Sequence, residues 1–394
     1  MTSRPSVSGH VVVLGAGYAG AHAARGAREG GVQVTVVDPS GDHGFLPRLA
    51  GVAAGRSSLG DARAALEDLV DVDVARHVAE RVDVARHEVI LAGGGRLSYD
   101  ALVVTVGAAT HWPDVPGLRR HATSLRDAED ALRLRATLPR TGSLVIVGGG
   151  STGVQLAAEL GRARPHLAIT LVEEADRLLP AEPASLASAA GRLLRDRDVE
   201  VLRGHRVRRV DAGGVDLDGP ARRRDGTVLW VGGWQAQGDA LLREATTRDG
   251  RLVVGRHLEV LGAPGVFAAG DVAAHRDLFG QPLSMSAQIA LQAGRVAGAN
   301  AAALVTGRRR RTARLLELGR VLDVGGGRGV GRIGPVPLGH LGTDRVVPLL
   351  HLSVDLRHLW KLGGARAVIE HAPGRDVGVT ATVGATGTRL RAVG

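Results

Sequence analysis

The sequence predicts an α/β protein with two Rossmann-like βαβ units and a smaller C-terminal α+β region. Three observations carry this expectation. Two Gly-x-Gly-x-x-Gly turns, at residues 15–20 and 148–153, each follow an apolar run and open an Ala-rich stretch. An acid, Asp38 or Glu173, closes the next apolar run after each turn, and further short apolar runs end in glycine. At 394 residues the chain exceeds one ordinary domain and suits two or three.

The first unit begins with a strand over Val11 to Leu14, which meets Gly15, Ala16, Gly17, Tyr18, Ala19 and Gly20 and then a helix to about Glu29. Gly30 and Gly31 break that helix, and a second strand, Gln33 to Val37, ends in Asp38. Each part has a physical role. Gly15 permits a tight turn, Gly17 lets the backbone approach a pyrophosphate, and Gly20 allows close packing of helix on strand. The helix N-terminus supplies amide donors and partial positive charge to phosphates, and the Asp38 carboxylate can accept from ribose hydroxyls.

The second unit repeats this grammar. Ser143 to Val147 is the strand, and Gly148, Gly149, Gly150, Ser151, Thr152 and Gly153 form the turn. Val154 to Arg162 is the helix, and Ala168 to Val172 leads into Glu173 and Glu174. A carboxylate there bonds an adenosine 2′-hydroxyl and repels a 2′-phosphate, so NADH is expected over NADPH, with Arg177 nearby as the opposing charge.

Leu102 to Val106 with Thr105, followed by Gly107, and Val228 to Val231, followed by Gly232 and Gly233, read as strands that run under a ligand. The stretch Gly265 to Asp271, with Gly270 before the acid, reads likewise. Ser284 or Ser286 caps a helix through about Leu304, closed by Gly307. Arg308 to Arg311 follow, read as a solvated linker or a contact for anionic lipid. Pro348 to Gly363 fits two patterns: Leu349, Leu352, Leu356 and Leu359 lie on one helix face, whereas Leu350, Leu352, Val354 and Leu356 alternate as in a strand. Trp360 and Lys361 suit an interface, and a core hairpin accounts for Trp360 as well. The tail from Ala365 is rich in Gly, Ala and Thr.

Composition narrows the chemistry. There is no cysteine, which removes disulfides, thiolate nucleophiles and any dithiol relay. The net charge of +10 is almost wholly arginine, Lys361 being the only lysine. Such a balance fits nucleic acid, an anionic membrane surface, or the bias of an Arg-rich proteome. Aromatic residues at 2% and the lack of a recognised reading module argue against nucleic acid. No stretch reaches the roughly 18 consecutive apolar residues of a membrane span, and the polar start lacks a signal-peptide core, so the expected location is cytoplasmic. The histidines are scattered and no metal-ligand spacing occurs.

Taken together, these strings resemble the two-dinucleotide flavoprotein oxidoreductases, most closely the type II NADH dehydrogenases (NADH:quinone oxidoreductases), over roughly residues 9 to 305. The ordered set is GAGYAG with Asp38, His43-Gly-Phe45-Leu-Pro47, Val52 to Gly55, Tyr99-Asp100 before LVVTVG, GGGSTG with Glu173, VFAAGD, and Ala287-Gln288-Ile-Ala290-Leu-Gln292. The resemblance implies that the first unit (1–112 with 255–305) binds FAD, that an inserted second unit (113–254) binds NADH, and that 306–394 is a C-terminal domain. It implies that Asp271 bonds the ribityl chain, that Ala79 meets the adenine, that Pro47, Thr105, Gly107 and Gly270 lie near FAD, and that Gly233 lies near the nicotinamide nucleotide. Ala287 and Gln288 would stand beside the flavin. Gln288 and Gln292, one helical turn apart, can face a quinone carbonyl, or can bond backbone or flavin.

Two features depart from the family pattern. Gln155 stands where many members carry a glutamate near the nicotinamide, so it can hydrogen-bond but cannot take up a proton. The C-terminus lacks an evident membrane-docking helix pair. The expected partner is a quinone or another small redox acceptor. Peripheral contact with the inner membrane face and a homodimer are carried as expectations. The rival functions are a reductase of a ferredoxin- or rubredoxin-like protein and a slow NADH-binding redox sensor.

Overall fold

The computed structural model describes residues 9–138, 142–219, 223–339 and 343–373. The chain divides into two compact units. The first holds the residues through Gly44, Ala64–Ala109 and Trp234–Leu318, and the second holds Phe45–Arg63, Thr110–Gly233 and the residues from Gly319. These limits differ from those expected for the domains. Residues 45–63 pack with the second unit because Leu49, Val52 and Ala53 enter its core beside Leu134 and Ile146. Residues 319–339 pack with the second unit as well, since Leu322, Val324 and Val330 enter the same core.

In the first unit, five parallel strands lie in the order Val266–Ala268, Ala101–Val104, His10–Leu14, Gln33–Val37, Asp73–Ala75. Val11 to Leu14 and Leu102 to Val104 are fully buried, as expected of parallel strands covered on both faces. The helices Tyr18–Arg28 and Ala287–Val305 lie against one another. They approach backbone to backbone because small residues meet: a methyl group at Gly26 would lie 2.5 Å from the Arg295 carbonyl oxygen, and one at Gly294 or Gly298 would strike the Ala19 or Ala23 carbonyl. Ser286 caps the longer helix, its Oγ accepting from Ile289 N–H at 3.3 Å, while Ser284 instead donates to the Glu317 carboxylate at 2.6 Å. Gly307, at φ +66°, follows its end. The arginine run after it is partly engaged: Arg310 pairs with Glu259 at 2.5 Å and Arg308 donates to Gly30 O at 3.3 Å.

The second unit repeats the sheet as Ala122–Thr123, Thr227–Trp230, Gly142–Val147, Leu167–Glu173, Val199–Arg203. The helix Ser151–Ala163 and the helix Ala184–Arg195 pack on it. A three-stranded antiparallel sheet of Gly319–Asp323, Gly329–Ile333 and Val336–Leu338 precedes a helix, Val347–His371, interrupted at Gly364 (φ 66°, ψ −149°). The ambiguous stretch is therefore helical, and no hairpin forms there. Its buried face is Val347, Asp355, His358, Leu359 and Leu362, so of the expected leucine stripe only Leu359 is buried, while Leu349 and Trp360 stand outward at 66% and 60% exposure. The Gly- and Thr-rich tail beyond 373 lies outside the described residues.

Buried charged residues of this unit have partners of opposite charge. Arg48 and Asp355, both under 9% exposed, bond at 3.0 Å, and Arg48 also donates to Asp61 O and His371 O while its guanidinium lies 4.1 Å from the centre of the Phe45 ring. Glu159, fully buried, takes two bonds from Arg56. In the first unit, His275 is buried and its Nε2 accepts from Gly270 N–H at 3.1 Å, so Nδ1 carries the proton. Burial, with a smaller contribution from the positive Arg251, pushes this imidazole down to about 3.

Two expectations follow. Asp355→Ala leaves the Arg48 charge buried without its partner, so urea unfolding should show a loss of about 3–5 kcal/mol, much of it recovered when Arg48→Met is combined with Asp355→Leu. His275 stays neutral in the fold while the unfolded chain binds a proton below about pH 6.5, so its stabilisation is complete above that pH and is lost progressively as pH falls toward 3. The slope from this one group is up to about 1.4 kcal/mol per pH unit. Unfolding curves of wild type and His275→Gln between pH 7 and 4 should converge as pH falls, and parallel curves would refute this.

Candidate functional site

The two glycine turns are built alike. Gly15 (φ +98°) and Gly148 (φ +116°) adopt backbone that only glycine takes readily. Each amide donates to the neighbouring strand, Gly15 to Val37 O and Gly148 to Val172 O, both at 2.8 Å. Each lies under the carbonyl of the strand on its other side: a methyl group would sit 2.7 Å from Thr105 O at Gly15 and 2.6 Å from Val231 O at Gly148. A methyl at Gly20 or Gly153 would strike the carbonyl of Gly15 or Gly148, the close helix-on-strand packing expected of that position. Gly17 and Gly150, in contrast, face open space, and each is the N-cap of its helix. Both positions thus leave room for phosphates against helix N-termini.

The acids are placed as a pair too, each bonded to the turn that precedes it. Asp38 accepts Ala16 N–H at 2.9 Å on one oxygen, and Ser40 N–H, Ser40 Oγ–H and Gly41 N–H on the other. Glu173 accepts Gly149 N–H at 2.6 Å and Ala175 N–H at 2.8 Å. Each carboxylate therefore fixes the shape of its own glycine turn.

Around the first turn the structure gathers Thr105, whose hydroxyl donates to Leu14 O at 2.6 Å and Gly15 O at 3.1 Å, and Tyr18, buried in the helix start. Gly270 (φ +80°) lies against Ala19, and a methyl group there would come within 2.9 Å of its Cβ. Asp271 follows, within the field of Arg251, which donates twice to Ala273 O at 2.9 and 2.6 Å. Gly107 (φ +72°) faces open space. Ala79 heads a separate antiparallel ribbon, in register with Leu91, and packs at the edge of the same apolar core. His43 is fully buried; its Nδ1–H donates to Ala16 O at 2.9 Å and its ring meets Tyr18 edge-on at 5.0 Å. His43 and His275 both brace glycine-containing turns, His43 from a segment 27 residues away and His275 from within its own loop.

The two glutamines of the AQxAxQ string bond backbone. Gln292 holds Leu316 by both amide groups (N–H to Oε1 3.0 Å, Nε2–H to O 2.8 Å), and Gln288 Oε1 accepts Leu318 N–H at 2.7 Å. Only Gln288 Nε2 has no partner among the described residues. Ala287 opens this helix, leaving its own N–H and that of Gln288 unspent.

At the second turn, Ser151 Oγ accepts from Arg320 at 3.1 Å, a positive charge that no sequence signal placed there. Thr152 lies half-buried in the first helical turn. Gly233 (φ +143°) stands beside His111, whose carbonyl accepts Trp230 Nε1–H at 2.7 Å. Gln155 Nε2 donates to Pro47 O at 3.1 Å, so these two expected site residues meet in the second unit.

Gly17 and Gly150 have extended ψ that any residue adopts (φ −64°, ψ −169° and φ −71°, ψ −173°). Gly17→Val should therefore fold with an unchanged circular dichroism spectrum yet lose flavin absorbance while still binding NADH, and Gly150→Val should do the reverse. Loss of both ligands from both variants would refute the independence of the two turns.

Comparison with known proteins agrees with this architecture. Residues 9–294 match the pyridine nucleotide-disulphide oxidoreductase family. The chain is 34% identical over 328 residues to an NADH dehydrogenase-like protein of Mycobacterium tuberculosis, covering 74% of this chain and 79% of that one. It is 25% identical over 391 residues to a type II NADH:quinone oxidoreductase of Staphylococcus aureus, covering 90% and 96%. The fold is shared with NDH2 of Plasmodium falciparum, solved in complex with NADH, at a TM-score of 0.78 and 16% identity over 92% of this chain and 97% of that one. With two parallel-sheet units, each opened by a glycine turn, and this match across most of its length, the chain belongs to the pyridine nucleotide-disulphide oxidoreductase family.

Proposed function

We propose that the protein oxidises NADH through FAD and delivers the electrons to a quinone. The observation that carries this reading is the duplicated glycine turn, open at Gly17 and at Gly150, in a chain without cysteine. Two turns call for two dinucleotides, and the lack of a dithiol leaves a diffusing acceptor as the outlet. The names of the relatives, NADH dehydrogenase-like and NADH:quinone oxidoreductase, point the same way.

The residues present fit FAD at the first turn: the open cradle at Gly17, the N-terminus of the helix that starts at Tyr18, and Asp271 after the Gly270 bend. FAD, when bound, accepts a hydride and releases electrons singly or in pairs. The chain supplies position and potential. Asp38 and His43 hold the first turn in shape, and Glu173 and Arg320 do so at the second. The N-terminus of Ala287–Val305, with the Ala287 and Gln288 amides unspent, presents positive potential to an electron-rich ring. Gln288 Nε2 is the amide left to meet an acceptor carbonyl, while Gln292 anchors the extended segment at Leu316. Gln155 contributes an amide and no proton, so the quinone's protons come from solvent or from another group.

Among the described residues no helix is long and apolar enough to cross a membrane. The outward Leu349 and Trp360 of the terminal helix support peripheral contact with the bilayer in which quinones dissolve.

The reading is tested by stopped-flow mixing of the yellow protein with NADH and then with a menaquinone analogue in vesicles, a ferredoxin, or oxygen. Bleaching by NADH followed by fastest reoxidation with the vesicle quinone is the expected result. Fastest reoxidation by the ferredoxin would assign a protein partner instead, and the absence of bleaching would end the proposal.

A further inference from the structure

Beside the second glycine turn lies a groove of about 200 Å³, lined by Arg177, Leu178, Ser188, Arg195, Val201 and Arg203. Its wall touches the turn directly: Leu179 N–H donates to Gly149 O at 2.8 Å, and Leu178 Cδ2 packs against Gly149 so closely that a methyl group there would lie 2.8 Å away. Arg203 is the register partner of Glu173 across neighbouring parallel strands, which places it at the strand end where an adenosine ribose is expected.

The charges at this place are spent unequally. Both Glu173 oxygens are taken by backbone N–H groups, and Glu174 is engaged by Arg206, whose Nε lies 2.9 Å away. On the positive side, Arg177 gives one bond to Pro180 O, and the side chains of Arg195 and Arg203 have no hydrogen-bond or ion-pair partner among the described residues. The Glu173 carboxylate keeps its negative charge while both oxygens accept N–H bonds, so a 2′-phosphate at this strand end requires positive charge that outweighs it. Here that carboxylate is held on its own turn by two backbone N–H groups, and three arginines line the adjoining cavity. Guanidinium groups match phosphate oxygens in geometry and charge.

We propose that this groove receives a phosphate monoester, the 2′-phosphate of NADPH, so that the protein uses NADPH as well as NADH. This reverses the preference expected from Glu173 alone, and it rests on the reading of the second unit as the nicotinamide nucleotide site. Arg195 and Arg203 are specificity residues in this scheme, acting on the adenosine end and leaving the reacting ring untouched.

The test compares kcat/KM for NADPH and NADH with a soluble quinone, in wild type and in the exposed double variant Arg195→Ala, Arg203→Ala, after thermal melts show that both fold. In wild type the two values should lie within about a factor of ten, with the KM for NADPH rising more steeply with salt. The variant should lower the NADPH-to-NADH ratio by about tenfold or more, the scale of a lost charged hydrogen bond. Calorimetry supplies a readout free of turnover: 2′-AMP should bind more tightly than 5′-AMP in wild type, and the two should bind alike in the variant. NADH oxidation without NADPH oxidation, or an unchanged ratio in the variant, overturns the proposal. So does inorganic phosphate binding the groove with no effect on NADPH use, which would make it a free-anion site. Failure with both nucleotides would instead remove the nicotinamide reading, and this proposal with it.

Discussion

The constraint on which the structure depends is the crossing of backbone over backbone at each glycine turn. Gly15 lies beneath Thr105 O and Gly148 beneath Val231 O, at separations that leave no room for a Cβ. This crossing lets the chain leave the central strand, reverse into a helix and still keep neighbouring strands on both sides. The gap between those neighbours, at the carboxyl ends of the strands, is where an open parallel sheet binds its ligand. Once the crossing exists, the helix N-terminus is aimed at the gap and its unspent amides become the electrostatic part of the site.

The supporting contacts keep that opening in shape. Asp38 and Glu173 each hold the amide next to the leading glycine, so a carboxylate takes the place of the solvent that would otherwise satisfy it. His43 does the same for the Ala16 carbonyl, and His275 for the Gly270 amide. A neutral imidazole suits this duty: it can donate at one nitrogen and accept at the other, and burial costs less than for a charged group. In the first unit the helix pair adds rigidity through glycine and alanine contacts, which bring backbones together without side-chain entropy.

In the second unit the same role falls to arginines, through ion pairs and through hydrogen bonds to backbone carbonyls. Arg56 with Glu159, and Arg197 with the Ala158, Val324 and Gly325 carbonyls, fasten the turn around Gly325 to the helix that follows the second glycine turn. Arg320 and Arg332 share the buried Glu182, and Arg320 reaches Ser151 at the turn itself. The C-terminal sheet is therefore part of the wall that positions the second turn, which explains why it packs into that unit's core.

Much of this was legible in the sequence wherever neighbours in the chain do the work. The two turns, the strands before them, the acids after them, the Ser286-capped helix and the exclusion of dithiol chemistry all follow from contiguous residues, because backbone sterics, capping and helix periodicity act over a few positions. What each side chain does with its polar atoms was settled only by tertiary structure. Asp38 and Glu173 turn back on their own loops, Gln288 and Gln292 hold the segment at Leu316 and Leu318, the ambiguous 348–363 stretch becomes a helix, and Arg48 finds Asp355 far along the chain. A hydrogen bond is decided by which donor and acceptor arrive within about 3 Å. That proximity is a property of the packed fold, and residues a hundred or more positions apart carry no local trace of it.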